Sequence, residues 1–415
     1  MDKEKIKEKI LEKIEGIEII DAHEHLEPEE VRLNQKLDVF SFFSHYTKGD
    51  LLRAGMDEEQ YKSLFNHDIP IEKRWKLFSP FWEKIRYTCY SKSVLIAVKK
   101  FYNYDDINEK NYKDISIAIS ERNKPGIYRK VLRDTCHIKV ALTQCQRTDV
   151  DRDKKDPILV PVMPLLYKLP NEITMETISD LKIKSLDDYL EKQKTYFRKI
   201  KEEGAVGVKA IAYPNIEPYG EPDEKKAKEI FNDLKTGKIK KTHIINPLYY
   251  FLLDRSISLA IKEGFVIAVH TGYWGDFRTL SPLHLIPFLM RYPEGKFDVY
   301  HLGYPWLRET LMLAKGFSNV YLNFCWLHII SQKAAKEGMD EAIETIPTNK
   351  IIGFGGDYLA PALEKVYGHL TMAKEDIAEV VAGKIEKGWF GFDEGLHLIQ
   401  KYFYTNPKDL YNLNC

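Results

Sequence analysis

Apolar, β-branched runs recur along most of the chain at intervals that suit a repeating strand–helix unit. The first, over 17–26, follows a stripe of Ile6, Ile10, Leu11 and Ile14 that predicts a short amphipathic helix over 1–16. From about residue 136 the runs become regular, at 138–143, 158–165, 205–212, 264–270, 297–301, 320–325 and 351–356. Helical or loop-rich stretches separate them, among them 187–203, 249–263, 283–292 and 306–316. Strands alternating with helices predict right-handed βαβ units and a parallel sheet covered on both faces. With the first run there are eight strands, so the pattern predicts an α/β chain folded as a (β/α)8 TIM barrel.

Residues 27–135 break this rhythm. They are rich in aromatics (Trp75, Phe78, Phe81, Trp82, Tyr87, Tyr90, Phe101, Tyr102, Tyr104) and read mainly as helices. They predict a helical insertion after strand one, lying over the mouth of the barrel. The chain then divides into 1–26 (first helix and strand one), 27–135 (insertion or lid) and 136–415 (the rest of the barrel). Segment 80–90 is the expected lid, which would exclude water from the chemistry. The stretch 402–411 predicts a turn and a short final helix whose aromatics pack against the barrel.

Composition narrows the class of partner. Lys+Arg and Asp+Glu are both 62, giving a formal net charge of zero, so the basic excess of a nucleic-acid binder is missing. The five cysteines, at 89, 136, 145, 325 and 415, form no C-x-x-C pair, which points to a reducing compartment rather than a disulfide framework. The opening run of acids and lysines does not resemble a signal core, and no stretch approaches the ~20 apolar residues of a bilayer span. The expectation is a soluble cytoplasmic protein with a small-molecule substrate and neither a nucleic-acid nor a membrane partner. Assembly as a homo-oligomer stays open.

Polar residues at the strand ends carry the candidate chemistry. His23 and His25 close the run Asp21-Ala-His-Glu-His25, and side chains two apart on a strand point the same way, half of a metal site. Strand four ends with Lys209, strand five with His270, strand six with His301, and strand eight leads through Gly355-Gly356 to Asp357. In a barrel these ends converge on one face. A lysine within Val-Lys-Ala-Ile is buried and demands a partner. The remaining histidines (45, 67, 137, 243, 284, 328, 369 and 397) fall in insertions or helices and are expected to be structural or at the surface. Rim aromatics Trp274, Tyr304, Trp306 and Trp326 suit a small ring or sugar-like ligand bearing an acid group. Arg278, Arg86 and Lys209 are the candidates to meet that carboxylate.

At these motifs the sequence resembles the amidohydrolase superfamily, and most the amidohydrolase-2 branch that includes decarboxylases and relatives of uronate isomerase. The resemblance covers Asp21-Ala-His-Glu-His25 and nearly everything from 136 to 413. It includes His270-Thr-Gly, His301-Leu-Gly-Tyr-Pro305, Asn319-Val-Tyr-Leu-Asn323, Gly355-Gly-Asp357 and Asn406-Pro-Lys-Asp-Leu-Tyr411. It implies that His23, His25, His270 and Asp357 are metal ligands or their immediate neighbours, and that His301 touches substrate or a second metal. Lys209 stands where two-metal members carry a carboxylated, bridging lysine. That departs from the one-metal pattern and leaves one or two metals open, as it does a role for Lys209 as an ammonium on a substrate carboxylate. Zinc is the expected divalent ion, with manganese or iron also compatible.

The residue types suit hydrolysis of an amide, lactone or ester in a small acidic substrate. Asp357 would act as general acid–base and His301 would polarise the carbonyl. The same ligands also serve a decarboxylase or a uronate-type isomerase, and a metal-binding protein without catalysis is the third reading.

Overall fold

The computed structural model describes residues 2–151, 155–170, 172–210, 222–242 and 246–415. Eight parallel strands lie side by side in sequence order. They are β1 (Ile19–Glu24), β2 (Ile138–Thr143), β3 (Leu159–Pro164), β4 (Gly207–Ala210), β5 (Val266–His270), β6 (Phe297–Tyr300), β7 (Val320–Asn323) and β8 (Ile351–Ile352). Positions 211 and 212 of the fourth expected strand, and His243, lie outside the described residues. Between β8 and β1 the barrel is joined by Ala22 N–H to Phe354 O (3.2 Å), Asp357 N–H to His23 O (2.8 Å) and His25 N–H to Tyr358 O (3.1 Å). The eighth strand is shorter than expected because Gly353 donates to Tyr402 O (2.9 Å), outside the ladder.

The helices follow from local chemistry. In Leu186–Glu202, Ser185 caps the N-terminus by accepting from Asp188 N–H, Asp187 and Asp188 occupy the first turn, and lysines the last. Leu186, Tyr189, Gln193, Phe197 and Ile200 form its buried stripe against the barrel wall. The chain end forms the floor. Leu410, Tyr411 and Leu413 pack with Ile20, Ala22, Val140, Leu142, Val162, Val266 and Ile352 inside the barrel, and the Tyr411 hydroxyl donates to Asp298 (2.7 Å).

Residues between β1 and β2 build a separate helical core in which Phe40, Phe43, Phe78 and Trp82 are buried. Each such ring contributes roughly 1.5–3 kcal/mol on burial. Helix Cys89–Tyr102 of this insertion packs on the long barrel helix Lys365–Glu386. The contact is close because position 368 is glycine: a Cβ there would lie 2.0 Å from Ser93 O. Segment 80–90 falls at the end of helix Ile71–Ile85 and the start of Cys89–Tyr102. Trp82 points into the insertion's own core, its indole N–H on Ile107 O (2.9 Å), while Tyr90 reaches the barrel mouth to stack on Tyr46. Among the described residues, no helix is long and apolar enough to cross a membrane.

Candidate metal centre

Five strands bring His23, His25, Lys209, His270, His301 and Asp357 together. Nε2 of His23 and Nε2 of His25 each lie 3.2 Å from Asp357 Oδ1. His25 Nδ1 donates to the Gln144 carbonyl just beyond β2 (3.1 Å), which turns Nε2 inward. His301 is oriented in the same way. Its Nδ1 donates to Cys325 O (3.0 Å), which leaves the lone pair on Nε2, 3.0 Å from His270 Nδ1 and 3.9 Å from Asp357 Oδ2. Lys209 Nζ lies 3.4 Å from His23 Nε2 and 3.9 Å over the Tyr300 ring.

Burial sets the protonation of this group. It pushes His23 and His270 down to about 3, reinforced by the nearby Lys209 charge. His301 is held well below the ordinary imidazole value by burial and by His270 beside it. Burial also brings Lys209 down from 10.5 to about 8. At neutral pH these three imidazoles are therefore uncharged and offer lone pairs.

Such a donor set fits a divalent cation. Among the described residues, Asp357 Oδ1 is buried and accepts no hydrogen bond, although two imidazole nitrogens face it at 3.2 Å. His23, His301 and Asp357 offer ligand atoms all within 4.8 Å of one another. A buried carboxylate oxygen and imidazole lone pairs converging on one point suit zinc, manganese or iron. The backbone makes the approach possible: a Cβ at Gly355 would lie 2.5 Å from Cys325 Cβ and 2.9 Å from His23 N.

Two residues of the insertion join the centre although the sequence pattern did not single them out. His45, expected to be structural, sits at φ 61°, ψ −118°, with its ring edge-on to His25 at 6.2 Å. Burial lowers it from 6.5 to about 4. Burial and the nearby Asp357 charge hold the Tyr46 hydroxyl well above its ordinary value, and its ring stacks on Trp326. Position at a strand's carboxyl end, which revealed the other six, has no counterpart in an irregular insertion. The only available signal was polar His45-Tyr46 directly after the aromatic run Phe40–Phe43. His328 and His369 are buried behind β8, as expected of structural residues. His328 bridges Asp376 (2.9 Å) and Gly353 O (3.1 Å), and His369 Nδ1 donates to Gly356 O (3.1 Å).

The rim residues divide. The Trp274 ring lies 6.5 Å from His270 and 6.2 Å from Trp326, at the mouth. Tyr304 O accepts from Tyr273 N–H (2.6 Å), linking the loops after β5 and β6. Trp306 packs on Phe277 at 5.7 Å, on the outer side. The structure brings neither arginine to the six. Arg278 is 84 % exposed and paired with Asp276 (2.7 Å), and Arg86 is held by Asp106 (2.6 Å) and Glu83 (3.1 Å).

A family model described as amidohydrolase matches residues 196–413. The chain belongs to the amidohydrolase family. It is thus a metal-dependent enzyme of that superfamily, with the six residues at the mouth of its barrel. Protein fluG of Emericella nidulans is 24 % identical over 152 residues, which is 36 % of this chain and 17 % of that protein. The chain therefore matches only a small part of that curated relative's length. Two solved structures share the fold over nearly the whole chain. Uronate isomerase from Thermotoga maritima has a TM-score of 0.80 at 17 % identity, covering 98 % of this chain and 97 % of its own. Glucuronate isomerase from Caulobacter crescentus has a TM-score of 0.80 at 16 % identity, covering 100 % and 95 %.

Proposed function

We propose that this amidohydrolase-family enzyme is a hydrolase that opens an amide, lactone or ester bond in a small, acid-bearing substrate. His23, His25, His270 and Asp357 hold the cation. Lys209 serves as an oxygen ligand once its Nζ has added carbon dioxide and lost a proton to become a carbamate. The observation that carries this reading is the buried Lys209 ammonium, set 3.4 Å from His23 Nε2 within a cluster of ligands rather than against a carboxylate.

When bound, a divalent cation lowers the pKa of water from 15.7 towards ~7 and polarises the scissile carbonyl. Asp357 takes the proton from the attacking water and returns it to the leaving group, a role worth about 10²–10⁴-fold. His301, fixed through Nδ1 by Cys325 O, either orients the substrate carbonyl or completes a second cation site. The Tyr46 hydroxyl lies near enough to feel the Asp357 charge and donates to it as the carboxylate takes and returns the proton. Trp274 and Trp326 form the wall against which a substrate ring packs.

A second reading, isomerisation of a sugar acid, draws on His45 and Tyr46, which place an imidazole and a phenol beside His25 and Asp357. The deciding experiment gives the metal-replete enzyme panels of lactones, amides and esters alongside uronates and aromatic acids. Metal-dependent release of the hydrolysed acid, with close to two metals per chain, supports the proposal. Aldose–ketose conversion or carbon dioxide release without hydrolysis would overturn it.

A further inference from the structure

Glu24 stands between the two histidines of β1 but does not join them. Its carboxylate turns to the loop after β8, where Oε2 accepts the Tyr358 amide at 2.6 Å. Two more contacts run in parallel: Gly356 N–H donates to Asp21 Oδ1 (3.0 Å) and Asp357 N–H to the His23 carbonyl (2.8 Å). Three successive amides, those of Asp357 and of the residue on either side of it, are thus fixed by β1. Between them Asp357 adopts φ 63°, the left-handed region that a non-glycine residue enters only when its surroundings enforce it.

The clamp is built for this place. Asp21 and Glu24 are fully buried side by side, and among the described residues Asp21 Oδ2 and Glu24 Oε1 take no hydrogen-bond partner, so the oxygens that do bond, Asp21 Oδ1 and Glu24 Oε2, are spent on the loop after β8. Only glycine leaves room at the contact, since a Cβ at position 356 would lie 2.0 Å from Glu24 Oε1 and 3.2 Å from Asp21 Oδ2. Removing the Glu24 acceptor would strand the Tyr358 amide in the interior and free the residue after Asp357 to relax.

We infer that Glu24 is a positioning residue of the metal centre: through the Tyr358 amide it holds Asp357 in the left-handed conformation that aims its carboxylate at His23 and His25, and so sets the affinity for the cation. Asp21 does the same from the other side, through Gly356. The inference rests on the reading of His23, His25 and Asp357 as ligands.

The test is a zinc titration of full-length protein stripped with chelator, in competition with a chromophoric chelator, at a temperature where circular dichroism shows each variant folded. The wild-type chain binds zinc. Glu24→Gln keeps the acceptor for the Tyr358 amide in its side-chain carbonyl and binds within about threefold of wild type. Glu24→Ala binds about 10–100-fold more weakly, the usual cost of losing a residue that orients a ligand. If Glu24→Ala does not fold, Glu24→Met, which fills the space without an acceptor, takes its place with the same expectation. A purely structural Glu24 would lower the melting temperature and leave zinc affinity unmoved; that result, or equal weakening in Glu24→Gln and Glu24→Ala, overturns the inference. Failure of wild type to bind zinc would instead overturn the metal-centre reading beneath it.

Discussion

The ring of Tyr46 lies stacked on that of Trp326, with centroids 4.4 Å apart and planes 23° from parallel. This pair joins the insertion to the end of β7 beside Asp357, whose charge helps keep the Tyr46 hydroxyl protonated. Tyr46→Phe keeps the stack and removes only the donor. On the proposed mechanism this hydroxyl donates to the Asp357 carboxylate during the reaction, and a hydrogen bond to a charged group contributes about 1.5–3 kcal/mol, so kcat should fall about 10–100-fold. Steady-state kinetics beside a thermal melt checks this, and an unchanged kcat would remove Tyr46 from the chemistry.

His25→Ala should lose most of its metal while keeping its far-ultraviolet circular dichroism. The His25 ring is part-buried and fixed by a backbone carbonyl, so its loss removes a donor without opening the core. Elemental analysis of protein prepared without chelator decides the matter, and full metal content in the variant would exclude His25 as a ligand.

Acid should weaken the join between the first helix and the barrel. Despite the cost of its partial burial, Glu379 is held from the ordinary 4.5 down to about 2 by Lys336 and Lys3. A depressed carboxyl pKa means the unfolded chain takes up the proton first. The stabilisation is therefore complete above about pH 4.5 and lost as the pH falls through about 2. Urea unfolding should show Glu379→Gln less stable than wild type at pH 7 by on the order of 1–2 kcal/mol, with solvent screening allowed for, and the gap closing towards pH 2.

Gly368→Ala should loosen the insertion. The atoms a Cβ would meet are backbone, Ser93 O at 2.0 Å, C at 2.8 Å and Cα at 3.0 Å, and cannot rotate away. Overpacking of this kind costs about 1–3 kcal/mol. Tyr90, one turn earlier on the same helix, stacks near Tyr46, so KM should rise along with the drop in melting temperature. A melting temperature equal to that of wild type would show that the two helices separate freely.

The barrel was legible because its strands are buried on both faces and so read as continuous apolar runs, each close to its observed strand. The polar residues of the centre were legible for the same reason: Lys209, His270 and Asp357 interrupt or end apolar runs where little else explains them. His45 and Tyr46 were not. They reach the centre through the packing of Phe40, Phe42 and Phe43 in the insertion, a three-dimensional relation with no period along the chain. The arginines were expected at the site for their charge and their bidentate reach to a carboxylate. Arg278 has Asp276 two residues away, and that local pairing decides where it points.

The seam between β1 and β8 has a consequence for synthesis. Glu24 and Tyr358, which help close it, are 334 residues apart, and the ligands on either side of the seam are nearly as distant in sequence. A chain emerging from the ribosome presents His23 and His25 early, but their carboxylate partner comes only with the last strand. On the proposed ligand set the nascent protein would have no complete cation site until its barrel shuts, and metal capture would report the final step of folding.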